Sequence, residues 1–447
     1  MTGVIGDILR RTVRSIPFLS VAVVIAVALA WPVHAQTTGA PARQSLPRPP
    51  AQKPGAPPEG SAAPDGYSPI PEWAGQTHAP RVAVSVPYTI ETVASGIANG
   101  YSIEFVSDGR ILLVERPGRL KIIDRSGQIS APLAGLPPIY AGGPQGLVGA
   151  IADKDFATNR TIYIAYTAPD PNAPTPAPRL AGVLTVARAR LSSDSTKLEE
   201  VKVLLSAEGI GGKMIQARDG TLLISSSIPA GVGILSADWP QPQQLESLMG
   251  KVLRINTDGS VPKDNPFVGR PNARGEIFAL GIRDDQGLAF HPRTGRLWAS
   301  EHGPRGGDEI NAIEKGKNYG FPVIGYGHDY NGASINKDRT SQAGMEQPVY
   351  FWTPDIAPGG ISFYTGKLFP AWQGNLFVAA LAGKHLARLV LQGDRVIGEE
   401  RLLAELDTRI RDVKEGPDGA LYVLTDRDGG KVIKLVPPKE SSSRGSR

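Results

Sequence analysis

Ser107-Asp108-Gly109-Arg110-Ile111-Leu112-Leu113-Val114 places a glycine-bearing turn directly ahead of an apolar, strand-like run. The phrase returns as Arg218-Asp219-Gly220-Thr221-Leu222-Leu223-Ile224, as Arg293-Thr294-Gly295-Arg296-Leu297-Trp298-Ala299 and as Pro417-Asp418-Gly419-Ala420-Leu421-Tyr422-Val423. Glycine reaches the positive φ that a tight hairpin demands, and alternation buries one side of the strand that follows. A hairpin unit recurring along a long all-β chain predicts a propeller. Further β-rich runs lie at 111–124, 161–167, 183–191, 251–256, 375–391 and 420–436, separated by Gly, Pro, Asp and Asn turns. No segment sustains a 3.6-residue apolar period, so helices are expected to be short and few. Some 355 residues, from 83 to 437, at roughly 40–60 per four-stranded blade give six to eight blades. A large sandwich or a pair of β domains is the alternative, and it explains the recurring phrase less well.

The chain outside 83–437 has a different character. Arg10, Arg11 and Arg14 precede an apolar run from Ile16 to Trp31, and Val33-His34-Ala35 offers a small-residue cleavage site. Residues 1–35 therefore read as an export signal, implying a periplasmic or secreted protein. A retained anchor is the rival reading, but the run falls short of the roughly 20 residues that span a bilayer. Residues 36–82 hold 11 prolines among Ala, Gly, Gln and Ser, the composition of an extended, solvated linker. Residues 438–447 form a polar tail.

Charged residues make up 20% and hydrophobic residues 41%, ordinary for a soluble globular protein. The net charge of +5 is concentrated at the front. Seven Lys/Arg face four Asp/Glu up to residue 82, leaving 41 against 39 in the remainder. A near-neutral body offers no concentrated basic face for nucleic acid. The absence of cysteine excludes disulfides, thiolate catalysis and thiolate metal sites.

Several stretches, in fixed order, resemble the glucose/sorbosone dehydrogenase family, and most closely its soluble aldose sugar dehydrogenases. They are Val114-Glu115-Arg116-Pro117-Gly118-Arg119-Leu120, Asp155-Phe156-Ala157-Thr158-Asn159, Gln286-Gly287-Leu288-Ala289-Phe290, Glu301-His302-Gly303-Pro304-Arg305-Gly306-Gly307-Asp308-Glu309-Ile310-Asn311, Asn318-Tyr319-Gly320 and Arg409-Ile410-Arg411-Asp412-Val413. The resemblance implies a six-bladed propeller that carries pyrroloquinoline quinone (PQQ) and calcium on its pseudo-axis and oxidises an aldose at C1. It implies a His that takes the hydroxyl proton, an Asp that orients it, and Arg and Lys side chains that pair with the acidic cofactor. The quinone would perform the redox step while the protein positions it and supplies the base.

Carried over residue by residue, the resemblance is uneven. Gly303 and Pro304 match the carbonyl donors to calcium, and Asp308, Glu309 and Asn311 are expected in an oxygen-rich turn beside them. Arg283, Arg409 and Arg411 match the cofactor clamps, where the guanidinium fork suits carboxylates. Gln145 stands one place along from the family's glutamine, and Lys384 lies near the position of a cofactor-contacting lysine, which here falls in Ala380-Leu381-Ala382. Asp284 and Asp285 replace the family's Asn and Pro after Arg283.

The base is missing. The family's His-x-Gly-Gly-Arg-Leu reads Gly209-Ile210-Gly211-Gly212-Lys213-Met214, and the orienting Asp falls at Ile228. Asp284 is the candidate substitute, although a carboxylate of ordinary pKa near 4 is a weak base. Of the remaining histidines, His302 flanks the calcium motif and His385 follows Lys384, while His291 and His328 read as turn and loop residues. Two other functions stay open: a catalytically silent propeller that binds a sugar, quinone or partner protein, and an enzyme of another type such as a lactonase. The electron acceptor is unknown from sequence, and a membrane enters only through an uncleaved export signal.

Overall fold

The computed structural model describes residues 69–170, 182–228, 241–330 and 332–439. The expected export signal, the linker up to residue 68 and the tail from residue 440 lie outside the described residues.

Six antiparallel sheets follow one another along the chain. Blade 1 holds Gly100–Phe105, Ile111–Glu115 and Arg119–Ile123; blade 2 holds Leu147–Ala152, Thr161–Ala168, Val183–Leu191 and Leu198–Ala207. Blade 3 holds Ile210–Gln216, Leu222–Ser227, Lys251–Ile255 and Ile277–Leu280; blade 4 holds Asp285–Phe290, Leu297–Glu301, Asp308–Ile313 and Tyr350–Trp352. Blade 5 runs Pro358–Phe363, Leu376–Ala380, His385–Gln392 and Arg395–Leu402, and blade 6 runs Ile410–Glu415, Leu421–Thr425 and Asp428–Val436. The fourth strand of blade 6 comes from the other end of the domain: Thr89–Ala98 pairs with Asp428–Val436 in the register Thr89↔Val436. That pairing closes the ring and removes a sheet edge. Only Phe156–Asn159 is α-helical among the described residues, and it is a single turn.

The recurring phrase is the turn between the first and second strands of a blade. Gly109, Gly220, Gly295 and Gly419 all have positive φ, from 70° to 88°. In three of the turns the preceding aspartate accepts the amide two residues on: Arg110 on Asp108, Thr221 on Asp219 and Ala420 on Asp418. Turn chemistry and alternation thus agree at each repeat, the local-to-global consistency that specifies one fold.

The expected boundary at residue 83 is too late. Gln76 is fully buried, its Nε2 donating to the Pro348 carbonyl (2.9 Å) and its own carbonyl accepting the Phe351 amide (2.9 Å). The Ala79 amide donates to the Tyr350 hydroxyl (2.9 Å), and Glu399 pairs with the chain at Pro80 and Val82. Residues 73–82 therefore dress the outer strands of blades 4 and 5. Isolated polar contacts hold them there, not an apolar stripe, and composition alone reads such a segment as linker.

Candidate functional site

In each blade the first strand is innermost, and the six first strands neighbour one another round the axis. Because adjacent strands are antiparallel, the connections entering a first strand and those joining a second strand to a third fall at one end of the propeller. The candidate cofactor and base positions cluster there. Gln145 precedes Leu147–Ala152, Gly209 precedes Ile210–Gln216, Arg283 and Asp284 precede Asp285–Phe290, and Arg409 precedes Ile410–Glu415. Gly303 and Pro304 join the second and third strands of blade 4, and Lys384 does so in blade 5.

Blades 5 and 6 meet at a cavity of about 370 Å³ lined by Leu381, Ala382, Lys384, Asp407, Thr408, Arg409, Asp426 and Arg427. Its cations are restrained by carboxylates: Lys384 Nζ lies 2.5 Å from Asp407, Arg409 Nε 2.9 Å from Asp426, and Arg411 Nη2 3.5 Å from the same Asp426. Burial opposes ionisation of Asp426, but Arg411 and Arg409 outweigh it and hold the carboxyl below its usual range. Arg411 keeps a buried Nε with no hydrogen-bond partner, and the ring of Tyr101 lies 5.0 Å from its guanidinium carbon.

In neighbouring blade 4, Arg283 is 3% exposed and donates from Nη1 to the carbonyls of His302 (2.7 Å) and Gly303 (3.1 Å); its guanidinium also reaches the Tyr330 side chain, while its Nε is buried without an acceptor. Gln145 is likewise buried, with Oε1 unpartnered. Buried polar atoms are normally satisfied, so a set of orphans around one axis marks a place built for a polar ligand.

Asp284 belongs to a network that sequence reading missed. Gln286 Nε2 donates to Asp284 Oδ1 (2.7 Å), the Tyr101 hydroxyl donates to Gln286 Oε1 (3.2 Å), and His302 Nδ1 lies 3.5 Å from Asp284 Oδ2. Burial disfavours the Asp284 anion, but His302, Arg283 and Gln286 together lower its pKa. The other ring nitrogen of His302, Nε2, is buried with no partner. A carboxylate on one imidazole nitrogen with the other nitrogen free is the arrangement that fixes a tautomer.

The positions of the family's base and its orienting partner are closed. Gly209 has φ +100°, and a Cβ there would stand 2.5 Å from the Ser227 carbonyl and 3.1 Å from Ser226 Oγ. Ile228 is 3% exposed and packs with Phe321 and Ile335, Met249 lying against them.

The expected metal set is only partly assembled. Asp308, Glu309 and Asn311 lie on a strand, Asp308–Ile313, and not in a turn. The Asp308 carboxylate accepts the amides of Gly303 (2.8 Å), Ile356 (2.7 Å) and Ala357 (2.6 Å), so it ties blade 4 to blade 5. Asp285, Glu301 and Glu309 form one cross-strand row of buried carboxylates. Asp285 has neither oxygen hydrogen-bonded, and burial pushes Glu309 up to about 7. Among the described residues no three His, Asp or Glu side chains converge on a point that would hold a metal. His385 is no substitute base: it is buried, with Nδ1 against the Gly383 carbonyl (2.8 Å), and burial lowers its pKa to about 4.

A family model described as Glucose / Sorbosone dehydrogenase matches residues 97–434. The Escherichia coli (strain K12) protein named Aldose sugar dehydrogenase YliI is 36% identical over 366 residues, covering 79% of this chain and 94% of that protein. The crystal structure of the soluble aldose sugar dehydrogenase from Escherichia coli in its apo-form superposes with a TM-score of 0.73 at 35% identity, covering 79% of this chain and all of that one. The PQQ-bound aldose sugar dehydrogenase from Streptomyces coelicolor shares the fold, with a TM-score of 0.63 at 24% identity over 79% of this chain and 99% of that one.

Proposed function

The chain belongs to the glucose/sorbosone dehydrogenase family, and from that premise we propose that it oxidises aldose sugars at C1 to lactones with PQQ as cofactor. The observation that carries the proposal is the cation-lined cavity at the axial end of blades 5 and 6. Lys384, Arg409 and Arg427 edge it, and the unpartnered N–H groups of Arg411 and Arg283 lie buried at the same end. An acidic, planar cofactor with several carboxylates satisfies those donors through charge-assisted hydrogen bonds. When bound, the quinone supplies the two-electron acceptor. The chain's own residues bind it and handle the substrate proton.

We assign that proton to the Asp284–His302 pair, in which Asp284 orients the ring and Nε2 is the free nitrogen. Calcium belongs to the same proposal, held by the carbonyl oxygens of Gly303 and Pro304. The uncompensated row of Asp285, Glu301 and Glu309 favours a cation nearby. The export signal read in residues 1–35 supports a reaction in the periplasm or outside the cell, with an electron acceptor that the site does not identify.

A second reading is supported by one observation: backbone at Gly209 and apolar packing at Ile228 exclude the family's base, which fits a silent propeller that binds quinone or sugar without turnover. Purified protein titrated with PQQ in the presence of calcium, then supplied with aldose and an artificial acceptor, separates the two. Binding with turnover supports the enzyme, binding without turnover the silent propeller, and no binding removes both cofactor readings.

A further inference from the structure

We propose that Lys213 is a positioning charge beneath the cofactor site: an ammonium without a carboxylate partner, held in the propeller axis against Tyr101, that draws an acidic quinone toward Arg411 and takes up a proton as the quinone binds. The proposal rests on the PQQ reading above and adds to it a residue and a linkage.

Lys213 is the fourth residue of the first strand of blade 3 and is 9% exposed. Its Nζ donates to the Tyr101 carbonyl at 3.2 Å and lies 4.7 Å from the centre of the Tyr101 ring. The same ring carries the Arg411 guanidinium at 5.0 Å, and its hydroxyl is fixed on Gln286. One aromatic side chain therefore connects two cations to the network that holds Asp284. The ring face gives each cation too little to offset burial of a charge.

The acids facing Lys213 are already engaged. Asp412 accepts the amides of Ile103 (3.0 Å) and Val413 (3.0 Å), and Glu104 pairs with Lys414 at 2.9 Å. Blade 4 presents neutral Gln286 with Asp284 behind it. Blades 2 and 5 present only Gly149, Ala150, Ile151, Gly360 and Ile361 to the small axial cavity that Lys213 lines. Arg411 and Lys414 add positive charge. Burial is the largest influence on the amine and, with those cations outweighing the pull of Asp412 and Glu104, it brings the Lys213 pKa down to about 8.

An anion arriving at Arg411 reverses that balance, stabilising the ammonium and raising its pKa. A ligand that raises the pKa of a group binds best to its protonated form. Affinity is therefore full below pH 8 and falls as pH rises past 8, by about tenfold per unit until the pKa of the bound state is reached. The family motif carries arginine at this position, which stays charged throughout that range.

The test measures PQQ affinity by absorbance titration in calcium from pH 7 to 9.5, for the wild-type protein, Lys213→Met and Lys213→Arg, without substrate or turnover. The expected wild-type affinity drops more than tenfold across the range. Lys213→Met binds at least about tenfold more weakly at pH 7 and shows no drop. Lys213→Arg binds as wild type at pH 7 and also shows no drop, which a purely structural role for the lysine would not produce. If the methionine variant fails to fold, the arginine variant alone decides the linkage. Wild-type affinity that is constant with pH, or an arginine variant with the same pH drop as wild type, overturns the inference while leaving the PQQ reading intact. A wild-type protein that binds no PQQ at any pH overturns both.

Discussion

Replacing Gly209 with histidine puts the imidazole where the family carries its base, and the structure predicts that this harms the protein instead of restoring it. The backbone at 209 has φ +100°, a region that non-glycine residues occupy at a cost of about 1–3 kcal/mol. The new Cβ would stand 2.5 Å from the Ser227 carbonyl, a backbone atom fixed in the second strand of blade 3. Overpacking of that kind adds about 1–3 kcal/mol. The sum is about 2–6 kcal/mol, a large part of the stability of an ordinary domain. Adding Ile228→Asp makes matters worse, because the carboxylate would enter an apolar cluster with Phe321 and Ile335. Urea denaturation followed by intrinsic fluorescence gives the loss directly, and sugar oxidation by the quinone-loaded variants gives the catalytic effect. A Gly209→His protein within about 0.5 kcal/mol of wild type that also oxidises aldose faster would refute the backbone argument and return the base to its family position.

If Asp284 orients His302, Asp284→Asn and His302→Gln each slow aldose oxidation by about 10²–10⁴-fold with little change in quinone affinity, as expected for loss of a general base. Wild-type turnover in both variants would remove the pair from the mechanism. Glu309 makes stability pH-dependent in an unusual direction. Burial raises its folded-state pKa from 4.5 to about 7, so between these values the folded state holds the extra proton and stability falls as pH rises. Glu309→Gln is expected to stabilise the chelator-treated protein at pH 8 and to flatten that slope, and calcium is expected to raise the wild-type melting temperature there. Identical wild-type melts with chelator and with calcium would end the calcium proposal.

How far the fold was legible follows from where its information sits. Gly109, Gly220, Gly295 and Gly419 carry a local demand for positive φ that a reader of the sequence can see, and each does turn a blade's first hairpin. The last strand of the domain lies in the run read at 420–436, but its union in blade 6 with Thr89–Ala98, which joins Thr89 to Val436, has no local signature. Gln76 and Ala79 are held by Pro348, Tyr350 and Phe351, so a proline-rich composition hid their burial.

At the site, Arg283, Arg409 and Arg411 came from the family resemblance, and the structure brings them to one end of the axis. Asp308 was read as a cation ligand from its carboxylate, while the three amides it accepts, which tie blade 4 to blade 5, leave no mark in the sequence. The Asp284–His302 contact spans blade 4 and was invisible for the same reason. One signal was used only in part, the acid in place of asparagine at 284, which was read without its histidine partner; another, a lysine in place of arginine at 213, was present and unused.

The central claim is that the axial end of this propeller binds an acidic quinone. Titrating the purified protein with PQQ in calcium at pH 7 tests it most directly, with the bound quinone's absorbance as readout and an Arg409→Ala, Arg411→Ala double variant alongside. Saturable binding of one quinone per chain, weakened at least about a hundredfold in the double variant, is the predicted result. No shift in the quinone spectrum, or equal affinity in the two proteins, would contradict it.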